Sequence, residues 1–242
     1  MNPKERFHPS WYPIMPLLSQ QPLLELSTEI LPNISHQPRK EDIFNVFSMP
    51  VGEIRTVILG QDPYPKPGEA MGYSFATTSN KTPASLRVIK QEVRESGAAH
   101  VDMDDHPFYD RLGHWREQGV FLLNTALSVE TGSAGSHLEY WRAFTEKVVT
   151  FIARENPCVW MLWGRKARSF MPRITNSPFR VKGYDDQTIE KIPANPEWNY
   201  ILEAPHPAAE LYSSSRAGFY GCNHFRYANT ILQKTKSKQI TW

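Results

Sequence analysis

A chain of 242 residues and 27.8 kDa, with 40% hydrophobic residues, a mean hydropathy of −0.49 and a formal net charge of +2, is typical of one α/β domain or two small ones. No stretch approaches the roughly 20 apolar residues of a membrane span, which excludes a transmembrane protein. The first thirty residues lack the continuous apolar segment of a secretory signal, so we do not expect a secreted protein. Because two cysteines, Cys158 and Cys222, cannot form a disulfide framework or a four-thiolate zinc site, we expect a cytoplasmic protein.

Residues 1–50 are rich in proline and predict only short helices, such as Leu17–Leu31 broken near Pro22. No repeat, low-complexity segment or linker divides the chain. We therefore expect one domain over residues 1–242, with residues 1–50 as an irregular, partly helical region packed on it.

Four short apolar runs after residue 50 predict strands buried on both faces: Thr56–Leu59, Val120–Leu123, Cys158–Trp163 and Tyr200–Leu202. Helical patterns lie between them. One begins with Thr82 as N-cap and Pro83 in the first turn, and another with a capping box of Ser136 and Glu139. Two more cover about 165–170 and 221–233. The alternation predicts a three-layer α/β/α fold with a central four-stranded, mainly parallel sheet.

Polar residues follow each predicted strand: Gln61, Asp62 and Tyr64 after the first, Asn124 after the second, Gly164 and Arg165 after the third, and His206 after the fourth. Ligands of open α/β sheets bind at the carboxyl ends of the strands, so these residues should share one crevice. Asp62 could there orient a water or stabilise a developing cation, and His206 is fixed between two prolines. The alternatives are a turn aspartate and a surface histidine.

Three further residues indicate the kind of ligand. Tyr64 and Phe75 supply aromatic faces, and Asn124 supplies an amide that both donates and accepts hydrogen bonds. This combination suits a planar heterocycle with a ring N–H and a carbonyl. Each residue alone could instead be structural, so the residues by themselves predict an α/β protein that binds a flat polar ring.

The basic residues are unevenly distributed along the chain. Residues 164–184 hold six Lys or Arg and no acid, and residues 211–242 hold five more, again with no acid. Such segments predict a basic face for a polyanion, with an ordinary solvated surface as the alternative.

The ordered motifs resemble those of family 1 uracil-DNA glycosylases. The resemblance begins with Gly60-Gln61-Asp62-Pro63-Tyr64-Pro65 and the spacing from Asp62 to Phe75. It continues through 119–125, Leu162-Trp163-Gly164, Pro205-His206-Pro207 and 218–225, and it covers about residues 45 to 230. Five motifs in the same order are far more specific than a single match.

The resemblance implies an enzyme that flips uracil out of DNA, hydrolyses its N-glycosidic bond and so initiates base-excision repair. Asp62 would position the water and stabilise the oxocarbenium-like sugar, and a neutral His206 would donate to the uracil O2. Phe75 would stack on the base and Asn124 would read N3–H and O4, while Gln61 would contribute a backbone contact and Tyr64 would block the methyl group of thymine. No metal or cofactor is implied.

The resemblance also implies DNA contacts, for which the candidates are Ser85, Gly164, Arg165, Leu211 and Arg216. The expected partners are uracil-containing single- and double-stranded DNA and a phage-type protein inhibitor, bound by a monomer. The family usually reads His-Pro-Ser-Pro-Leu where this chain has His206-Pro207-Ala208-Ala209-Glu210-Leu211, in a longer loop. Either Leu211 or Tyr212 could therefore enter the duplex, and Glu210 would repel phosphates unless it points away.

Three other functions compete with this interpretation. A binding module with the same fold would tether DNA without turnover, and a related glycosylase would remove hypoxanthine or mismatched thymine. A small-molecule α/β hydrolase would show no salt-dependent DNA binding. The joint presence of Asp62 and His206 favours an enzyme, and Tyr64 opposes thymine as the substrate.

Overall fold

The main sheet consists of five parallel strands. A computed structural model of the chain describes residues 5–98, 110–182, 186–213 and 217–242. In chain order, its strands are β1 (His36–Gln37), β2 (Thr56–Gly60), β3 (Val120–Asn124), β4 (Val129–Glu130), β5 (Val159–Trp163), β6 (Phe179–Lys182) and β7 (Tyr200–Ala204). The main sheet has the order β3-β2-β5-β7-β6, while β1 and β4 form a separate antiparallel pair.

The predicted fold class and the four predicted strands are confirmed, but the count of four strands is wrong. The fifth strand, β6, lies at the edge of the sheet beside β7. Its sequence Phe-Arg-Val-Lys alternates apolar and basic residues, as suits an edge strand. A continuous apolar run predicts only a strand that is buried on both faces, so this pattern does not mark β6.

The α-helices are α1 (Leu23–Glu25), α2 (Ala84–Glu95), α3 (Gly113–Arg116), α4 (Leu138–Glu155), α5 (Gly164–Arg168), α6 (Asp186–Glu190) and α7 (His224–Lys234). A π-helical turn covers Leu26–Ile30, and 3-10 turns cover Pro9–Ser19, Leu31–Asn33, Lys40–Asp42, Asn45–Ser48, Val51–Glu53, Met171–Arg173 and Pro207–Leu211. The N-terminal region is thus helical on both sides of Pro22, as predicted.

Helices cover both faces of the sheet because successive strand residues point to opposite sides. Ile58 packs with α2 and α7 in one core. Val57 and Leu59 pack on the other face with α4 and with the N-terminal region, where Trp11 is fully buried. The indole N–H of Trp11 donates to the carbonyl of Met49 (2.7 Å), which satisfies the buried donor.

Two predicted helix starts are wrong in detail. Pro83, not Thr82, is the residue that precedes α2, and the Thr82 hydroxyl donates to Asp110 (2.5 Å). Helix α4 begins after His137, and the Ser136 hydroxyl accepts the N–H of Glu130 (2.9 Å) instead of completing a capping box. In both places a tertiary contact takes the side chain that the local pattern assigns to a cap.

The strand register brings the carboxyl ends together. Gly60 of β2 pairs with Asn124 of β3, and Trp163 of β5 pairs with Ala204 of β7. The residues that follow these four strands therefore lie along one edge of the sheet. Among the described residues, no helix combines the length and apolar character needed to cross a membrane.

Candidate active site

A cavity of about 180 Å³ opens at the carboxyl edge of the sheet. Its lining contains all six residues that the sequence predicts for catalysis and base binding, namely Gln61, Asp62, Tyr64, Phe75, Asn124 and His206. Pro63, Pro65, Tyr73 and Ser85 complete the wall. A larger groove of about 300 Å³ involves the N-terminal region, but its mostly apolar lining holds no carboxylate, so it offers no comparable chemistry.

Asp62 is fixed from both sides. Its Oδ2 accepts the backbone N–H of Gly135 (2.5 Å), and its Oδ1 accepts the side-chain amide of Gln61 (3.0 Å). Burial raises the pKa of Asp62 above its ordinary value, although these hydrogen bonds and the positive charge of Lys166 oppose the shift. Each oxygen keeps a further lone pair for a water or for a developing positive charge.

His206 is held in one orientation by its own loop. The backbone N–H of Ala208 donates to Nδ1 of the ring (3.1 Å), so the proton of the neutral imidazole belongs on Nε2. Burial lowers the pKa of His206, which favours this neutral form. Gly164 permits the close approach of the loop, because a Cβ at this position, where φ is +88°, would lie 2.9 Å from the His206 Cβ.

Phe75 and Asn124 both line the cavity. Phe75 has a left-handed backbone with φ of 62°, and its ring packs against Trp163 and His206 at centroid distances of 5.3 and 5.9 Å. Such a conformation in a bulky residue is costly and is typical of functional sites. Asn124 ends β3 and is buried beside Gly60 of the neighbouring strand.

Tyr64 is anchored through its hydroxyl group. The hydroxyl donates to the Phe75 carbonyl (3.0 Å) and lies 3.2 Å from the Ser85 Oγ. Burial of the hydroxyl raises the pKa of Tyr64 far above its ordinary value, so the group is a neutral donor. The ring is therefore a fixed part of the cavity wall and cannot swing aside without breaking a buried hydrogen bond.

The predicted DNA contacts occupy different environments. Arg165 is exposed in α5, and Leu211 is 45% exposed, whereas Gly164 and Ser85 are buried. Arg216 lies outside the described residues. Their role in DNA binding stays a prediction.

Sequence reasoning missed several contributors to the site. Gly135 belongs to a run of small and turn-forming residues at 131–135 that signals a loop, but the run does not indicate a hydrogen bond to Asp62. Ser85 supports Tyr64, and the positive charge of Lys166 acts to lower the pKa of Asp62. Within the described ranges, no cluster of three or more His, Cys, Asp or Glu side chains is arranged to hold a metal ion.

Comparisons with known proteins agree with this geometry. The family model of the uracil DNA glycosylase superfamily matches residues 48–233. The uracil-DNA glycosylase of Halalkalibacterium halodurans is 38% identical over 209 residues, which cover 85% of this chain and 81% of that protein. The uracil-DNA glycosylase of Escherichia coli O81 is 34% identical over 242 residues, which cover 96% of this chain and 94% of that protein.

Solved structures match the fold over the full length of the chain. The mimivirus uracil-DNA glycosylase has a TM-score of 0.80 at 24% identity, with coverage of 100% of this chain and 89% of that chain. A variant of the mimivirus enzyme in complex with UGI has a TM-score of 0.79 at 22% identity, with coverage of 100% and 91%. The match of the family model over most of the chain, together with relatives at these identities, shows that this chain belongs to the uracil DNA glycosylase superfamily.

Proposed function

We propose that this chain hydrolyses the N-glycosidic bond of uracil in DNA, leaving an abasic site and initiating base-excision repair. The observation that carries this proposal is the single cavity in which a fixed carboxylate, a neutral imidazole, an aromatic ring and a buried amide surround a space for one flat base. A stacked base cannot reach such a cavity, so the nucleotide must rotate out of the DNA before reaction.

Asp62 acts on the water and on the sugar. In the reaction, the water oxygen bonds to C1′ while the C1′–N1 bond breaks and its electron pair leaves with the base. The ionised carboxylate stabilises the positive charge that develops on the sugar and receives the proton of the water. The hydrogen bonds from Gly135 and Gln61 hold the carboxylate in place, so little reorganisation is needed at the transition state.

His206 stabilises the departing base. Because Nδ1 accepts the Ala208 N–H, the Nε2–H of the neutral ring faces the cavity as a donor for the uracil O2. A neutral donor that is already oriented strengthens its hydrogen bond as negative charge grows on the base. The leaving group therefore needs no metal ion or cofactor.

Recognition depends on shape and on one amide. Phe75 stacks on the ring, the Asn124 side chain accepts N3–H and donates to O4, and the backbone of Gln61 adds a contact. Tyr64 stands where the thymine methyl group would lie, and its anchored hydroxyl keeps the ring there. Cytosine presents the opposite donor and acceptor pattern to Asn124, so it is rejected by an unsatisfied hydrogen bond.

DNA binding is assigned to the surface around the cavity. Arg165 contacts a phosphate. Ser85 adds a DNA contact through its hydroxyl or backbone, and Gly164 adds one through its backbone. Leu211 or Tyr212 fills the gap behind the flipped nucleotide. Arg216 is proposed as a further phosphate contact. Such contacts give sequence-independent affinity that weakens as the salt concentration rises.

The remaining assignments follow from the same proposal. The chain acts as one domain over residues 1–242, as a cytoplasmic monomer, on uracil in both single- and double-stranded DNA. Because the mimivirus structures include complexes with UGI, a protein inhibitor of this type is a candidate partner. The mass of the chain in solution, measured alone and then with UGI, tests both the monomeric state and the binding of the inhibitor.

Excision from a labelled oligonucleotide with one uracil, compared with thymine and hypoxanthine, tests the function. The assay runs with chelator at two salt concentrations, using the native chain, Asp62→Asn and His206→Leu. Asp42→Asn, which changes a carboxylate that pairs with Arg39 outside the cavity, is the matched control.

We expect excision of uracil alone, with losses of about 10²- to 10⁴-fold in the two site variants and none in the control. Unchanged rates in Asp62→Asn and His206→Leu would refute the assigned chemistry. Salt-dependent DNA binding without excision by the native chain would instead identify a binding module.

A further inference from the structure

The carboxylate of Glu210 gathers backbone N–H groups from the far side of its own loop. Its Oε1 accepts from Phe219 (2.6 Å) and Tyr220 (3.0 Å), and its Oε2 accepts from Ala217 (2.8 Å). The Glu210 carboxylate is therefore directed at the backbone of its own loop. It closes the chain into a loop whose two ends, at Glu210 and Ala217, are held together.

This closure is ionic in character. Burial alone would raise the pKa of Glu210, but the hydrogen bonds from the backbone of 217–220 outweigh it, and the pKa lies below the ordinary value. Hydrogen bonds to an ionised acceptor are roughly twice as strong as those between neutral groups. The carboxylate thus stays ionised and keeps all of its donors at neutral pH.

The closed loop has a fixed base. On one side, the Pro207–Leu211 turn follows His206 directly and packs against α2. On the other side, the buried carboxylate of Glu92 in α2 accepts the N–H groups of Gly221 (2.6 Å) and Asn223 (2.8 Å). The segments on both sides of the loop closed by Glu210 therefore contact the same helix, α2.

The first residues inside the closed loop are large and exposed. Leu211 is 45% exposed and Tyr212 is 87% exposed. Among the large hydrophobic residues in the described part of the chain, Tyr212 is the most exposed. Apolar side chains that are exposed to water are energetically unfavourable. Insertion between bases, in the place of a flipped base, buries this apolar surface and lowers the free energy. Their position shortly after His206 in the chain couples them to the cavity.

We propose that Glu210 is a positioning residue for entry into duplex DNA: its carboxylate clasps the backbone at 217–220 and so presents Leu211 and Tyr212 to the gap behind the flipped nucleotide. This inference rests on the proposed function. Glu210 does not line the cavity and has no part in bond cleavage, so it should matter only where a base must be expelled from a stack.

The test compares single-turnover excision from a single-stranded uracil oligonucleotide and from the matched duplex. The proteins are the native chain, Glu210→Ala, Glu210→Gln and the control Glu197→Ala, whose exposed residue precedes β7 at the opposite edge of the sheet. Glu210→Ala should lose about tenfold more activity on the duplex than on the single strand, the equivalent of one hydrogen bond to a charged group. Glu210→Gln should lie between, because its carbonyl can keep the Phe219 and Tyr220 bonds while its NH₂ opposes the N–H of Ala217.

A second measurement separates positioning from general instability. In a Leu211→Ala, Tyr212→Ala background, adding Glu210→Ala should cause little further loss on the duplex. Equal losses of activity on the duplex and on the single strand would overturn the inference, and so would an undiminished effect of Glu210→Ala in the double-alanine background. If Glu210→Ala does not fold, the ratio of duplex to single-strand loss in Glu210→Gln decides instead. A native chain that removes uracil from neither substrate would refute the proposed function instead.

Discussion

Replacing Gly60 with alanine should disable base recognition without removing any reacting group. An added Cβ would lie 2.5 Å from the Asn124 Oδ1, 2.9 Å from the Ser74 Cβ and 3.3 Å from the Phe75 Cε2. To restore a separation of 3.0 to 3.4 Å, the Asn124 amide must withdraw by 0.5 to 0.9 Å. Because a misplacement of about 1 Å can cost about 10²-fold in rate, we expect Gly60→Ala to lower uracil excision by about that factor.

Gly52→Ala is the matched control, since its added Cβ would meet no atom within 4 Å. Single-turnover excision on a single-stranded uracil substrate measures the effect without the contribution of duplex opening. Thermal unfolding shows whether the variant is folded. We expect overpacking to destabilise Gly60→Ala by about 1–3 kcal/mol. A folded Gly60→Ala variant that excises uracil at the native rate would refute the placement of Asn124 against the base.

Three further predictions follow from the site and its surroundings. Tyr64→Ala should gain measurable thymine excision while losing uracil activity, and a variant that still rejects thymine in the same gel assay would contradict the steric account. Uracil excision should fall on acidification as Asp62 is protonated, with a midpoint above pH 3.8 because burial raises its pKa. The lowered pKa of His206 extends the neutral form of that ring to lower pH than for an ordinary histidine. A pH–rate profile in which Asp62→Asn retains the acid limb would exclude Asp62 as its source. Lys90→Met should destabilise the fold by about 3–5 kcal/mol, because it leaves the buried Asp110 carboxylate without its counter-ion, and an unchanged melting temperature would show that the pair contributes nothing.

The location of the site could be predicted because it depends on strand register. Continuous apolar runs identify buried parallel strands, and the carboxyl ends of such strands meet at one edge. Asn124 comes directly after its run, and Asp62 and His206 follow theirs within four residues, so their convergence needs little knowledge of the loops. The residues by themselves predict Phe75 only as an aromatic face, and its stacking role comes from the resemblance, since it lies outside any strand and its orientation depends on a left-handed backbone.

The contacts that hold the site together could not be predicted, because they join positions far apart in the chain. Gly135 donates to Asp62 across 73 residues, and no local pattern marks a glycine N–H as a donor to a carboxylate. The same limit applies to Glu210, which composition alone would place among the charges that repel DNA. Its partners are backbone N–H groups, and these carry no signature in the sequence.

Phe75, Trp163 and His206 form one continuous packing unit, and Trp163 is in turn fixed by its indole N–H, which donates to Nδ1 of the buried His224 (2.9 Å). In the proposed mechanism, the residue that stacks on the base and the residue that stabilises its departure therefore depend on the same packing contacts. A substitution at Trp163 would alter affinity for the base and the rate of bond cleavage together, so the two properties cannot drift independently in evolution. Changing the preferred base would require coordinated substitutions across these rings, with strong epistasis between positions more than a hundred residues apart in the chain.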